Sequence, residues 1–358
     1  MLSLRGFAEL FAMQQPSAFK FSIAGVGFSV EGDDAILAAI AQLFDEFPTP
    51  QGPPDWTLLW EGARCHYDQR SVPLVIPDQR FAPSSTTILI GFLLRRTMPN
   101  AVFLHGNALV DGNDRVMILL GDSGAGKTTL SQEFLTRESW ELLAEDFLII
   151  DPATRVLHSY PRAASIRSEH QSNIKTRRAP HKFTTRSRSL ENSFIIILDR
   201  GLKEQLAAAQ PQISLWLSSI PANIDAIMSD ADVAFYDVRQ TEPFPCITLN
   251  ADALPRLRKM GEAFLRAGAL PLGTTAPDTW TTARQPAFPN QPGGHCIPTP
   301  DALNRIISNQ VIFGIGEELP ARNFMNLAKV FSDSSCAIVS PGGSPVGTAD
   351  FIDALRGA

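Results

Sequence analysis

Apolar and polar positions along the chain predict a mixed α/β protein. Phe19-Lys20-Phe21-Ser22-Ile23 alternates with the period of two of a half-buried strand. Ile36, Ile40, Leu43 and Phe44 then recur at helical spacing, and the stretch Pro48-Thr49-Pro50-Gln51-Gly52-Pro53-Pro54 ends that helix. The apolar run Thr87-Ile88-Leu89-Ile90-Gly91-Phe92-Leu93-Leu94 reads equally as a buried strand or a buried helix, because periodicity does not separate the two.

From Ala101 the pattern sharpens. Ala101-Val102-Phe103-Leu104 predicts a strand, Asp111-Gly112-Asn113-Asp114 a turn, and Arg115-Val116-Met117-Ile118-Leu119-Leu120 a second strand that runs into a glycine-rich loop. A helix follows from Thr128, with Leu130 and Phe134 on one face. Trp140-Glu141-Leu142-Leu143-Ala144 and Phe147-Leu148-Ile149-Ile150 then bracket Glu145-Asp146 as strand, acidic turn, strand.

Further on, Phe194-Ile195-Ile196-Ile197-Leu198 predicts a core strand and Ala251 to Ala267 a helix closed by Gly268. Residues 271–300 are rich in proline and predict a long loop without regular elements. A helix signal at Thr299-Pro300-Asp301, a short strand at Cys336-Ala337-Ile338-Val339 and a helix capped at Thr348 complete the chain. The expected organisation is a smaller N-terminal α/β domain over 1–97 and a larger domain over 98–358.

The 44% hydrophobic content supplies a full core, and a net charge of -6 argues against a dedicated nucleic-acid binder. The four cysteines, Cys65, Cys246, Cys296 and Cys336, show neither metal-ligand spacing nor the density of a disulfide framework, which points to a reducing cytoplasm. Arg5, Glu9 and Gln14-Gln15 interrupt the N-terminal apolar stretch, so neither a targeting segment nor a membrane anchor is expected.

One motif changes the picture. Gly121-Asp122-Ser123-Gly124-Ala125-Gly126-Lys127-Thr128 has the G-x-x-x-x-G-K-[ST] form of a phosphate loop and sits between a strand and a helix, as such a loop requires. Polyphosphate needs many inward backbone N–H donors, which bulky side chains would obstruct, and a helix start adds its positive dipole end. Lys127 would reach the β- and γ-phosphates of ATP, the Thr128 hydroxyl would hold Mg²⁺, and Thr129 completes the nucleotide-binding set.

Phosphoryl transfer also needs a carboxylate for the metal and often another for the acceptor. Glu145 and Asp146 are the candidates: one of them, set down as Asp146, joins Thr128 on the metal and the other turns to the acceptor, and the sequence leaves open which does which. His105, at a strand end before the loop strand, is a candidate catalytic or phosphate-facing residue.

The run His105-Gly106, the loop 121–128 and Ala144-Glu145-Asp146 together resemble the core of the HPr kinase/phosphorylase family. The loop with Thr129-Leu130 is also similar to that of phosphoenolpyruvate carboxykinases. Trp140-Glu141-Leu142-Leu143-Ala144-Glu145-Asp146 and Pro161-Arg162-Ala163-Ala164-Ser165-Ile166-Arg167 resemble the HPr-kinase-related proteins of peptide-modification gene clusters, including lasso-peptide clusters. The resemblance covers residues 100–170. It implies a P-loop kinase core and transfer of the ATP γ-phosphoryl group to a hydroxyl, with a serine of a peptide or small protein as acceptor. Glu145 stands where the family has Asp, and the later E-x-R-G-x-G signature of the bifunctional enzymes is missing from the sequence.

Arg162, Arg167, Lys175, Arg177, Arg178, Lys182, Arg186 and Arg188 form a basic segment in an acidic protein. Arg162, Arg167, Arg177 and Arg178 are the candidate substrate contacts, either on the transferring phosphoryl group or on an acidic peptide; a solvated loop is the alternative. A small-molecule kinase and a non-catalytic ATP-binding switch also stay open, as does assembly into a homo-oligomer.

Overall fold

A computed structural model describes residues 18–67, 72–121, 125–160, 164–167, 175–178, 182–199, 212–240, 244–250, 253, 256–275, 289–307 and 319–357. They form a mixed α/β protein with several separate sheets. The chain divides into two compact units, Met1–Thr97 with Leu215–Thr248 and Lys259–Thr274 in the first, and Met98–Ser214 with Leu249–Arg258 and Thr275–Ala358 in the second.

In the first unit, β1 (Ala18–Ile23) and β2 (Val26–Glu31) form a hairpin whose two turn residues, Ala24 and Gly25, have φ of 52° and 82°. That sign of φ matches the turn to the twist of the strands. Helix α1 (Asp34–Phe44) starts where Asp33 accepts a 2.8 Å bond from the Ile36 N–H, and it buries Ile36, Ile40, Leu43 and Phe44, the residues of the helical repeat. Strands β3 (Trp56–Glu61), β4 (Arg64–His66) and β5 (Leu74–Val75) complete the sheet. The run at 87–94 is part of helix α2 (Ala82–Thr97), with Pro83 in its first turn, where the missing N–H has no cost.

The second unit begins with β6 (Val102–Leu104), β7 (Gly106–Val110), β8 (Val116–Gly121), α3 (Lys127–Leu135), β9 (Glu141–Ala144), β10 (Leu148–Asp151), β11 (Val156–His158), β12 (Ala164–Arg167), β13 (Lys175–Arg178), β14 (Arg188–Ser189) and β15 (Phe194–Leu198). The chain then supplies most of a second sheet to the first unit, through β16 (Gln212–Leu217), α4 (Ile224–Asp230), β17 (Tyr236–Arg239), β18 (Cys246–Asn250), α5 (Leu257–Arg266) and β19 (Pro271–Thr275). It finishes in the second unit with β20 (Gly293–Ile297), α6 (Thr299–Ile307), α7 (Leu319–Val330), β21 (Ser335–Ser340) and α8 (Pro345–Gly357).

Two expectations need correction. The stretch 271–300 is not without regular structure, since it holds β19 and β20. Pro271 occupies the first position of β19, where a strand tolerates proline, and β20 contains none. Residues 276–288 lie outside the described residues. Helix α8 starts at Pro345 rather than at Thr348; the Thr348 hydroxyl bonds back to the Ser344 carbonyl and accepts from the Gly342 N–H.

The second unit is organised around a six-stranded sheet of order β20-β21-β15-β8-β7-β9. Strands β21, β15 and β8 are parallel, while β7 runs antiparallel to β8 and β9 on its two sides. Both faces of β8 are covered, which accounts for its unbroken apolar run. Leu130 and Phe134 of α3 and Ile352 of α8 pack with Met117, Leu119, Ile196 and Leu198 on one face. Helix α6 also touches β15 and β21, and β10 packs on β7.

Candidate active site

Strands β8, β15 and β21 end on one edge of the six-stranded sheet, β9 ends there too, and β7 begins there. In open α/β sheets the carboxyl ends of parallel strands are where ligands bind. His105, Gly121, Lys127, Thr128, Glu145 and Asp146, all singled out in the sequence, lie along this edge.

The glycine-rich loop leaves β8 at Gly121, whose φ is 145°. A Cβ there would lie 2.6 Å from the Leu198 carbonyl oxygen, so a side chain is excluded by the neighbouring strand. Asp122, Ser123 and Gly124 lie outside the described residues, and Ala125 is buried. Gly126 caps α3 with φ 100°, a conformation that L side chains rarely adopt, although open space surrounds its Cβ position. Gly126, as the N-cap residue, makes no side-chain cap bond.

Lys127 is buried at 7% exposure, and its ammonium donates to the Gly121 carbonyl at 2.7 Å. The loop is thereby closed on itself by its own lysine. Thr128 donates its hydroxyl to Oε1 of Glu145 at 2.8 Å, and Glu145 is buried at 2% exposure. Thr129 is exposed.

Asp146 adopts φ 68°, a left-handed conformation that aspartate tolerates better than most residues, and it turns the chain from β9 into β10. Its carbonyl and its carboxylate both face Nδ1 of His105, at 3.0 and 3.2 Å. A carbonyl oxygen only accepts, so Nδ1 carries a proton. His105 is the single residue at which the chain passes from β6 to β7, and hence from one sheet to the other. Gly106 follows because a Cβ there would meet Leu120 Cδ2 at 2.7 Å and the Leu119 carbonyl at 2.8 Å.

The sequence left open which carboxylate stands beside Thr128. Thr128 meets Glu145, not Asp146, and Asp146 turns to His105 instead. Consecutive residues in a tight turn point apart, so the two carboxylates serve different neighbours.

No family model matches the chain, and no curated protein matches it. The reading of this site therefore rests on its residues and their geometry.

Two residues of the site were not singled out in the sequence. Asn107 accepts from the Asp146 N–H at 3.0 Å and donates to the Ser131 hydroxyl at 2.8 Å; that hydroxyl donates to the Lys127 carbonyl at 3.0 Å. The chain of bonds ties the acidic turn to the first turn of α3, and both side chains are buried. A lone amide inside the apolar strand Gly106-Asn107-Ala108-Leu109-Val110 was the signal available, since a buried polar group costs stability unless it is bonded.

Among the candidate substrate contacts, Arg162 lies outside the described residues. Arg167 is on β12 and Arg177 and Arg178 on β13, a two-stranded ribbon in which Ser165 pairs with Arg177 and Arg167 with Lys175. Strand β12 touches α3, which sets the ribbon beside the helix that the loop opens.

Among the described residues no group of three or more His, Cys, Asp or Glu side chains gathers as a metal cage, and no helix is long and apolar enough to cross a membrane. Mg²⁺ does not need such a cage, because it keeps waters and phosphate oxygens and takes only one or two protein ligands. A hydroxyl and a buried carboxylate 2.8 Å apart at the start of α3 fit that requirement.

Proposed function

We propose that this chain is an ATP-dependent phosphotransferase, with a P-loop kinase core of the HPr kinase type, that phosphorylates a hydroxyl group. The observation that carries the reading is the contact of Thr128 with Glu145 at the opening of α3. It joins the phosphate-loop hydroxyl to a buried carboxylate, the donor set for Mg²⁺ beside a polyphosphate.

In this reading the loop amides and Lys127 bind the phosphates, Lys127 exchanging its bond to the Gly121 carbonyl for phosphate oxygens. Thr128 and Glu145 would hold Mg²⁺, which would supply neutralisation of phosphate charge. His105 and Asp146 serve the acceptor. Asp146 keeps the proton on Nδ1 and stabilises the ring when it becomes charged, so Nε2 takes the proton of the attacking hydroxyl, the logic of a carboxylate-oriented histidine. Asn107 and Ser131 hold the acidic turn in register with Lys127.

The favoured acceptor is a serine of a peptide or small protein. The cationic sequence of the ribbon Ala164–Arg167 and Lys175–Arg178 beside α3 supports an acidic peptide. The test is transfer from γ-labelled ATP to a pool of acidic seryl peptides and to a metabolite pool, with the phosphate located by mass spectrometry. Label on a peptide serine is the expected result. Label confined to a metabolite would overturn the peptide acceptor, and ATP binding without any transfer would overturn the enzyme.

A further inference from the structure

The carboxyl edge of the six-stranded sheet has a direction. In strand order it presents Glu145 and Asp146 after β9, His105 before β7, the loop after β8, Asp199 after β15 and Ser340 at the end of β21. In the function proposed above, the metal pair and the acceptor dyad all lie on the β7 and β9 flank of the loop. The terminal phosphate must point to that flank. The triphosphate runs through the loop, so the nucleoside leaves over the opposite flank, β15 and β21.

The residue that stands there is Asp199. It follows Leu198, which pairs in register with Gly121 and whose carbonyl oxygen is the atom that forbids a side chain at Gly121. The Asp199 N–H donates to the Val339 carbonyl of β21 at 2.9 Å, which fixes its backbone. Its carboxylate accepts from Nη1 of Arg305, on α6, at 2.7 Å. The side chains are 38% and 48% exposed, so the pair reaches solvent at the edge where the loop opens. An ion pair so exposed contributes little to stability.

We propose that Asp199 binds the ribose hydroxyls of the nucleotide, and that Arg305 is the positioning residue that holds the Asp199 carboxylate at the edge. A carboxylate accepts two hydrogen bonds at once, which matches the adjacent 2′- and 3′-hydroxyls, and a charged acceptor forms the stronger class of hydrogen bond. The site therefore selects ribonucleotides over their deoxy forms. This inference rests on the ATP-dependent reading of the loop.

Calorimetric binding of Mg-ATP, Mg-2′,3′-dideoxy-ATP and Mg-tripolyphosphate to the full chain tests it without requiring turnover. The wild type should bind ATP at least about tenfold more tightly than the dideoxy form, the loss expected when a charged acceptor is left unpaired. Asp199→Ala should bind the two equally and keep its tripolyphosphate affinity, and Asp199→Asn should fall between. Arg305→Lys should retain more discrimination than Arg305→Ala, with unchanged thermal midpoints. Discrimination that survives Asp199→Ala and Asp199→Asn, or a wild type that binds ATP and its dideoxy form alike, would overturn the inference and leave the kinase reading intact. A wild type that binds neither ATP nor tripolyphosphate would remove the kinase reading and this one with it.

Discussion

The Thr128 hydroxyl donates a 2.8 Å hydrogen bond to Oε1 of Glu145, while the carboxylate of Asp146, the residue after Glu145, lies 3.2 Å from Nδ1 of His105. Two adjacent carboxylates are thus assigned to two different partners. Glu145→Gln should weaken Mg-dependent ATP binding, read as a loss of the Mg²⁺ effect in calorimetry. Asp146→Asn should leave that binding in place and slow transfer by about 10²–10⁴. Equal effects of the two changes on Mg²⁺ dependence would refute the division.

Lys127→Ala should abolish transfer by several orders of magnitude. The fold should survive, because this ammonium bonds a loop carbonyl. Circular dichroism and single-turnover transfer on the same preparation check both halves.

Asn107→Leu keeps the branched outline of the strand residue in a bulkier side chain and takes the acceptor from the part-buried Asp146 N–H. A loss of about 1–3 kcal/mol in unfolding free energy is expected, together with slower transfer, since the acidic turn is no longer registered on α3. Denaturant unfolding with an unchanged slope, set beside kcat, measures the two effects separately.

The Arg356 guanidinium lies 4.6 Å from the Trp140 ring centroid, and its Nη2 donates to Asp111 at 2.8 Å. Arg137 pairs with Asp350 and Asp353 of the same helix α8. Burial would raise the Asp111 carboxyl, yet bonds from the Arg115 N–H, the Arg356 guanidinium and the Asn113 N–H hold it below the usual carboxylate range. A depressed folded value means that the tie contributes fully above the unfolded pKa of about 3.9 and fades as pH falls through the folded one. The wild type should therefore be more heat-stable than Asp111→Asn near neutrality, with the gap closing below about pH 4. A gap independent of pH would show that the charge of Asp111 does not matter.

What the sequence made legible was local chemistry. The strand that leads into the glycine-rich loop, the helix that follows it and the acidic turn depend on residues close in sequence, and each appears where the pattern put it. The choice between strand and helix at 87–94 needed the whole of Ala82–Thr97, because an almost wholly apolar run has no polar face to set a period. The partnership of Thr128 with Glu145 depends on which way a turn residue with positive φ points, and no sequence rule supplies that. Asn107 was readable as an oddity in an apolar strand, whereas Ser131 looked like an ordinary helix serine. Asp199 was hidden for another reason: its place beside the loop follows from β15 pairing with β8, a contact between residues more than seventy positions apart.

The first unit draws on three separate stretches of the chain, and its early strands lean on late residues. The Tyr67 hydroxyl bonds the Leu265 carbonyl, the Val75 N–H bonds the Gly268 carbonyl, and a Cβ at Gly268 would meet the Pro73 carbonyl at 2.6 Å. During synthesis, then, the residues up to Thr97 leave the ribosome long before the segment that completes them has been made. They must wait while the whole loop-bearing stretch up to Ser214 is translated. Expressed alone, the first 97 residues should therefore be a poor folding unit, and a nascent chain arrested before Thr274 should offer more apolar surface to chaperones than one released complete.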